Sequence, residues 1–128
     1  MHPPLTVSEA AEHLGLTADT LRYYERDGLL LTPVGRAASG HRRYSADDLR
    51  WITLVTRLRS TGMAIRDVRR YADLVRSGGG NEQERLALLQ EHRTKVLAQL
   101  AEVQAHLGAI DHKIGIYTDA VEGRPLAG

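Results

Sequence analysis

Two short stretches hold most of the side chains in this chain that could do chemistry: Thr20-Leu21-Arg22-Tyr23-Tyr24-Glu25-Arg26-Asp27-Gly28 and, a loop later, Gly40-His41-Arg42-Arg43-Tyr44. The chemistry they suit is recognition. Guanidinium is a planar fork that matches phosphate oxygens and guanine edges, and hydroxyls donate to phosphate. If the first stretch is helical, Asp19, Arg22 and Arg26 fall at i, i+3 and i+7 and share one face. Leu21 and Tyr24 then lie on a different face and pack inward. A polar, aromatic helix followed closely by an arginine-bearing hairpin is the arrangement expected of a winged helix-turn-helix that grips DNA.

Catalysis has no comparable support. There is no nucleophile–base pair, phosphate loop or paired-carboxylate motif, so the chain is expected not to be an enzyme and to need no cofactor. Cysteine is absent, which leaves no disulfide framework and no thiolate metal site. Three of the six histidines, His92, His106 and His112, lie in the C-terminal third without the i, i+4 spacing of a helical zinc site. A site using Asp111 and His112 across a dimer is one reading of that region. Solvated flank residues are the preferred one, with no metal bound.

The elements that must position these residues follow from local signals. Thr6-Val-Ser-Glu9 has capping-box spacing and opens a first helix with Ala10, Ala11 and Leu14 inward, ended by Gly15. Thr17 caps a second helix that ends at Gly28. The pair makes a helix-turn-helix. Leu29-Leu30-Leu31 and Arg42-Arg43-Tyr44, around Pro33, Gly35 and Gly40, read as two short strands of a small wing. Ser45-Ala-Asp-Asp48 opens a third helix through Trp51, Ile52, Val55 and Leu58, stopped by Gly62. A fourth, near 66–76, carries Val68, Tyr71, Ala72 and Val75, and the two form a second helix-turn-helix.

After Gly78-Gly79-Gly80 the pattern changes. Leu86, Leu89, Arg93, Val96, Leu100, Val103, Leu107, Ile110, Ile114, Tyr117 and Val121 alternate spacings of three and four, the period of a coiled-coil seam. Such a stripe, about 50 Å long, needs a partner, and a second copy of the chain is the simplest one. Arg93 interrupts the seam either as an inter-subunit charge pair or as a snorkelling side chain. The expected organisation is a DNA-binding domain over 1–77, a glycine-rich linker over 78–81, a dimerisation helix over 82–121 and a flexible tail over 122–128. The fold class is mainly α, with a two-stranded wing and a long C-terminal helix.

With 128 residues, the chain has room for one small domain and one extended element. Residues 1–80 carry 12 basic and 9 acidic side chains, net +3, and every basic one is Arg; residues 81–128 carry 5 and 7, net −2. A basic N-terminal part fits a nucleic-acid partner, although a GC-rich genome that favours Arg codons would produce the same bias. No signal peptide and no apolar run near the roughly 20 residues of a membrane span is present, so a soluble cytoplasmic protein without a membrane partner is expected.

Thr20-Leu-Arg-Tyr-Tyr-Glu-Arg-Asp-Gly-Leu29, the Gly40-x-Arg42-x-Tyr44 hairpin, Tyr44-Ser-x-x-Asp48-Leu49 and Thr61-Gly-Met63-x-Ile65, in this order and at these spacings, resemble the MerR family of bacterial transcription regulators. The resemblance is close over residues 4–77. It implies a homodimer held by an antiparallel coiled coil, with the second helix in a major groove and the wing on the neighbouring backbone. It implies too that the protein bends and untwists double-stranded promoter DNA whose spacer is overlong, so that RNA polymerase holoenzyme engages both elements.

The resemblance also assigns contacts. Arg22 matches the position that reaches bases or phosphates; its other reading is a surface pair with Asp19 or Glu25. Tyr23 fits a phosphate contact, Tyr24 the core. Arg36 and Arg42 match backbone-gripping wing arginines, His41 stands where an aromatic is usual, and Arg43 points outward and adds charge. Tyr44 packs the wing onto the third helix, and Arg59 matches a phosphate contact. The expected DNA-binding set is therefore Thr20, Arg22, Tyr23, Arg26, Arg36, His41, Arg42, Arg43 and Arg59. The expected dimerisation set is Leu86, Leu89, Val96, Leu100, Val103, Leu107, Ile110, Ile114 and Tyr117.

The absence of cysteine argues against soft-metal and thiol sensing. Thr118–Gly128 is too short for a small-molecule pocket of useful size. Two rival readings accompany the activator: a ligand-independent repressor of the same family, and a non-specific architectural or coiled-coil interaction protein. Operator sequence, regulated genes and signal are not encoded in any of these motifs.

Overall fold

Thr6 is extended, its hydroxyl accepts from the Glu9 backbone N–H at 3.2 Å, and its own N–H donates to Glu9 Oε1 at 2.9 Å. This reciprocal cap satisfies two of the orphan donors at the start of α1 (Val7–Leu14). The computed structural model describes residues 4–31, 35–36 and 42–124. The chain divides into two units, Met1–Gln90 and Glu91–Gly128.

Gly15, left-handed at φ 69°, ends α1, and Leu16 N–H returns to the Ala11 carbonyl at 2.9 Å. Thr17 caps α2 (Ala18–Arg26) through its hydroxyl, which accepts from Thr20 N–H at 3.1 Å. Gly28, at φ 75°, turns the chain out of α2, and Leu29 N–H bonds the Tyr24 carbonyl at 3.0 Å. A second reciprocal cap, Ser45 with Asp48, starts α3 (Ala46–Ser60). Then follow α4 (Ile65–Arg76) and α5 (Glu82–Val121).

The core joins α1 to α4. Ala10, Leu21, Leu29, Tyr44, Ile52, Val55 and Val68 are wholly buried, with Tyr24, Leu30, Leu49, Leu58 and Met63 nearly so. At about 1.5–3 kcal/mol for each large side chain removed from water, this cluster is the main stabilising term of the first unit. Tyr24 is tied to α3 by a 3.5 Å hydrogen bond with the Thr56 hydroxyl. Thr20 turns its hydroxyl to the Thr17 hydroxyl at 2.9 Å.

The only strands among the described residues are β1 (Gly35–Arg36) and β2 (Arg42–Arg43), antiparallel, with Gly35 opposite Arg43 and Arg36 opposite Arg42. Tyr44 continues from β2 into a two-way backbone bridge with Leu5, at 2.9 and 2.8 Å. Leu29-Leu30-Leu31, expected as the first strand, is not one. Leu29 and Leu30 are core residues, and side chains of α3 and α4 occupy their carbonyls instead of a strand ladder.

The α4–α5 junction is held by side chains. Asn81 Nδ2 donates to the Leu74 carbonyl at 2.8 Å, Arg85 Nε to Asn81 Oδ1 at 2.7 Å, and Gly80 N–H to the Glu82 carboxylate at 3.0 Å. Bonds from its own N–H and that of Gly80 hold the Glu82 carboxyl below the usual carboxylate range. Leu89, expected in the dimer seam, packs on the first unit's core. His92, expected on a solvated flank, is buried.

In the second unit the rest of α5 carries an apolar stripe open to solvent. Leu100, Val103, Leu107, Ile110, Ile114 and Tyr117 are 50–63% exposed, and Val121 more so. Val96 is half-buried. Arg93 is exposed. Gly123 at φ 75° closes the helix, with Arg124 N–H bonded to the Asp119 carbonyl at 2.9 Å. Among the described residues no helix is long and apolar enough to cross a membrane.

Candidate nucleic-acid interface

The outward face of α2 is polar along its length. Asp19, Arg22 and Arg26 are exposed, Thr20 and Tyr23 are half-buried, and Leu21 and Tyr24 anchor the opposite side. Arg22 Nη1 donates to Asp19 Oδ1 at 3.1 Å. With the Asp19 side chain 95% exposed and that of Arg22 48%, this pair contributes little to stability, about 0–1 kcal/mol. It holds the guanidinium on the outer face and breaks at small cost when a better anion arrives. Tyr23 leans on Tyr24, ring centroids 6.1 Å apart. That contact braces the ring.

The hairpin brings a second basic group near α1. Arg36 and Arg42 sit opposite one another in the strand register, but their side chains, and the whole of His41, lie outside the described residues. Arg43, expected to point outward, is half-buried. Its positive charge acts on Glu9, whose carboxyl is held below the usual range first by the Thr6 backbone and hydroxyl bonds and then by Arg43. Arg59, on the far end of α3, donates to the Met63 carbonyl at 2.6 Å and so also closes the α3–α4 turn.

The structure brings together Thr20, Arg22, Tyr23 and Arg26 on α2; Arg59 stands on a separate element. Sequence reasoning missed the residues that hold α2 against the hairpin entry. Arg69 pairs with Asp27 at 2.9 Å, Arg76 donates to the Gly28 carbonyl at 3.2 Å and to that of Leu30, and Trp51 Nε1 donates to the Leu29 carbonyl at 2.6 Å. A signal was available: Arg69, Asp73 and Arg76 fall at i, i+4 and i+7, one face of α4. Leu97, 46% exposed, was likewise omitted from the apolar stripe. Among the described residues no three His, Cys, Asp or Glu side chains gather as metal ligands would.

Comparison with known proteins agrees with this geometry. A family model described as "MerR HTH family regulatory protein" matches residues 5–74, and one described as "MerR, DNA binding" matches 49–113. An uncharacterised HTH-type transcriptional regulator of Haemophilus influenzae is 37% identical over 115 residues, 90% of this chain and 84% of the relative. The regulator AdhR of Bacillus subtilis is 36% identical over 93 residues, 73% of this chain and 66% of the relative. Among solved structures, HiNmlR, a MerR family regulator lacking the sensor domain and bound to promoter DNA, superposes with TM-score 0.82 at 35% identity. That match covers 94% of this chain and 96% of that one. A MerR family regulator from Listeria monocytogenes gives TM-score 0.84 at 36% identity, covering 93% and 89%.

Proposed function

The chain belongs to the MerR family of helix-turn-helix transcription regulators, and from that premise we propose that it binds a pseudo-palindromic promoter operator as a homodimer. It is a DNA-binding regulator, not an enzyme. In the proposal α2 enters a major groove with Arg22 and Arg26 toward the bases and phosphates and Thr20 and Tyr23 toward the backbone. The hairpin is the wing: Arg36, His41, Arg42 and Arg43 grip the adjacent phosphates, and Arg59 adds one more from the second helix-turn-helix. The single observation that carries the reading is the exposed face of α2, where arginines stand outward over a rigid, buried base of Leu21 and Tyr24.

Residues 82–121 form the dimerisation element in this proposal, an antiparallel coiled coil between two copies, behind a DNA-binding domain over 1–77, a linker over 78–81 and a short tail over 122–128. The exposed seam from Leu100 to Tyr117 supports it, because a stripe of that extent is costly to leave in water. Its output is distortion: the dimer bends and untwists an overlong spacer and lets RNA polymerase holoenzyme engage, in the cytoplasm.

Footprinting on the DNA upstream of its own gene tests the proposal. Two protected half-sites flanking a hypersensitive centre are expected. Protection without sequence preference would sink the regulator mechanism, and a symmetric footprint without distortion would replace activation by repression.

A further inference from the structure

We infer that Trp51, Arg69 and Arg76 are positioning residues for DNA binding: they hold the crossover Asp27–Leu30 and so set where the hairpin stands relative to the exposed face of α2. The inference rests on reading that hairpin as a wing that grips DNA.

Three successive carbonyls carry the argument. Past Gly28, the carbonyls of Gly28, Leu29 and Leu30 are taken by side chains from two other helices. Trp51 Nε1 of α3 donates to Leu29 at 2.6 Å. Arg76 Nη1 of α4 donates to Gly28 at 3.2 Å and to Leu30. Arg69 Nη2, two turns earlier on α4, fixes the Asp27 carboxylate at 2.9 Å. The donors are themselves held: the Trp51 ring stacks on Tyr71 at 5.6 Å and 13°, and Arg76 Nη2 pairs with Asp73. Leu29 and Leu30 are buried, so little water is available to replace a lost donor there.

The exit from the hairpin is anchored separately, by the buried Tyr44 ring and its two-way bridge with Leu5. The crossover as far as Leu30 and the residue that follows β2 are thus both fixed to the helical core. Arg69 and Arg76, although cationic and partly exposed, are engaged within the protein.

A double-mutant cycle read as DNA affinity tests this. It uses the full chain and the duplex that wild-type protein selects from a randomised pool. Trp51→Phe keeps a ring on Tyr71 and removes the N–H together with the five-membered half of the indole. It is expected to weaken binding roughly three- to tenfold, the span of one ordinary hydrogen bond. In a wing already stripped by Arg36→Ala and Arg42→Ala, the same change is expected to cost less than about twofold. Arg76→Gln, checked to be folded by its thermal midpoint, is expected to show the same dependence. Equal losses in both backgrounds, or none in the intact wing, would overturn the inference, since a residue that only stabilises the fold acts regardless of the wing. A stripped wing that binds as tightly as wild type would overturn the wing reading itself, and the positioning role with it.

Discussion

The Arg22–Asp19 pair sets the first prediction. A guanidinium on an exposed helix face is free to trade one carboxylate for a base edge or a phosphate, because the pair it leaves is weak. Arg22→Ala is expected to lose about 1–3 kcal/mol of discrimination between the selected duplex and a scrambled one, measured as the ratio of the two dissociation constants. Asp19→Ala removes a negative charge from the same face. It is expected to tighten binding to scrambled DNA by about 0.2–1 kcal/mol; unchanged or weaker binding there would show that the carboxylate does not repel the backbone.

Among the elements, helix ends decide the geometry of α1 and α2. Gly28 holds φ 75°, with nothing within 4 Å of an added Cβ, so Gly28→Ala is strained by conformation alone and is expected to cost about 1–2 kcal/mol in urea unfolding. The Thr6–Glu9 cap gives a pH dependence. The folded Glu9 carboxyl titrates below its unfolded range, so its contribution is complete above the ordinary carboxylate range and is lost as pH falls through the lowered value. Glu9→Gln is expected to flatten the acid limb of the thermal-midpoint profile and leave its shape at neutral pH alone. Caps of this kind are legible in sequence because donor and acceptor lie three residues apart. The capping of α1 and α3 and the stop at Gly15 needed no tertiary information. The Leu29-Leu30-Leu31 run did. A short apolar run fits an edge strand or a buried crossover equally well, and the choice was made by Trp51 and Arg76, 22 and 46 residues along the chain. Arg69 and Arg76 entered the sequence reading only as two of the twelve basic side chains of residues 1–80, for the same reason. Of the expected recognition set, the shared face of the α2 residues was readable from helical phase, whereas no local signal foretold that Arg43 would sit half-buried with its charge acting on Glu9 or that Arg59 would close a turn.

For the molecule as a whole, the proposal makes the exposed stripe of α5 and the arginines of α2 separate requirements, one for assembly and one for reading. Leu107→Glu with Ile110→Glu is expected to halve the mass seen by light scattering at micromolar concentration while leaving the N-terminal unit folded. Affinity for a two-half-site duplex should fall at least about tenfold as the avidity of two linked heads is lost; a variant that stays dimeric would remove the seam from the interface. The Leu5–Tyr44 bridge has a practical consequence at this scale. It stitches Leu5, just ahead of α1, directly to the residue that follows β2, so a change that disturbs one end of that bridge is felt at the other.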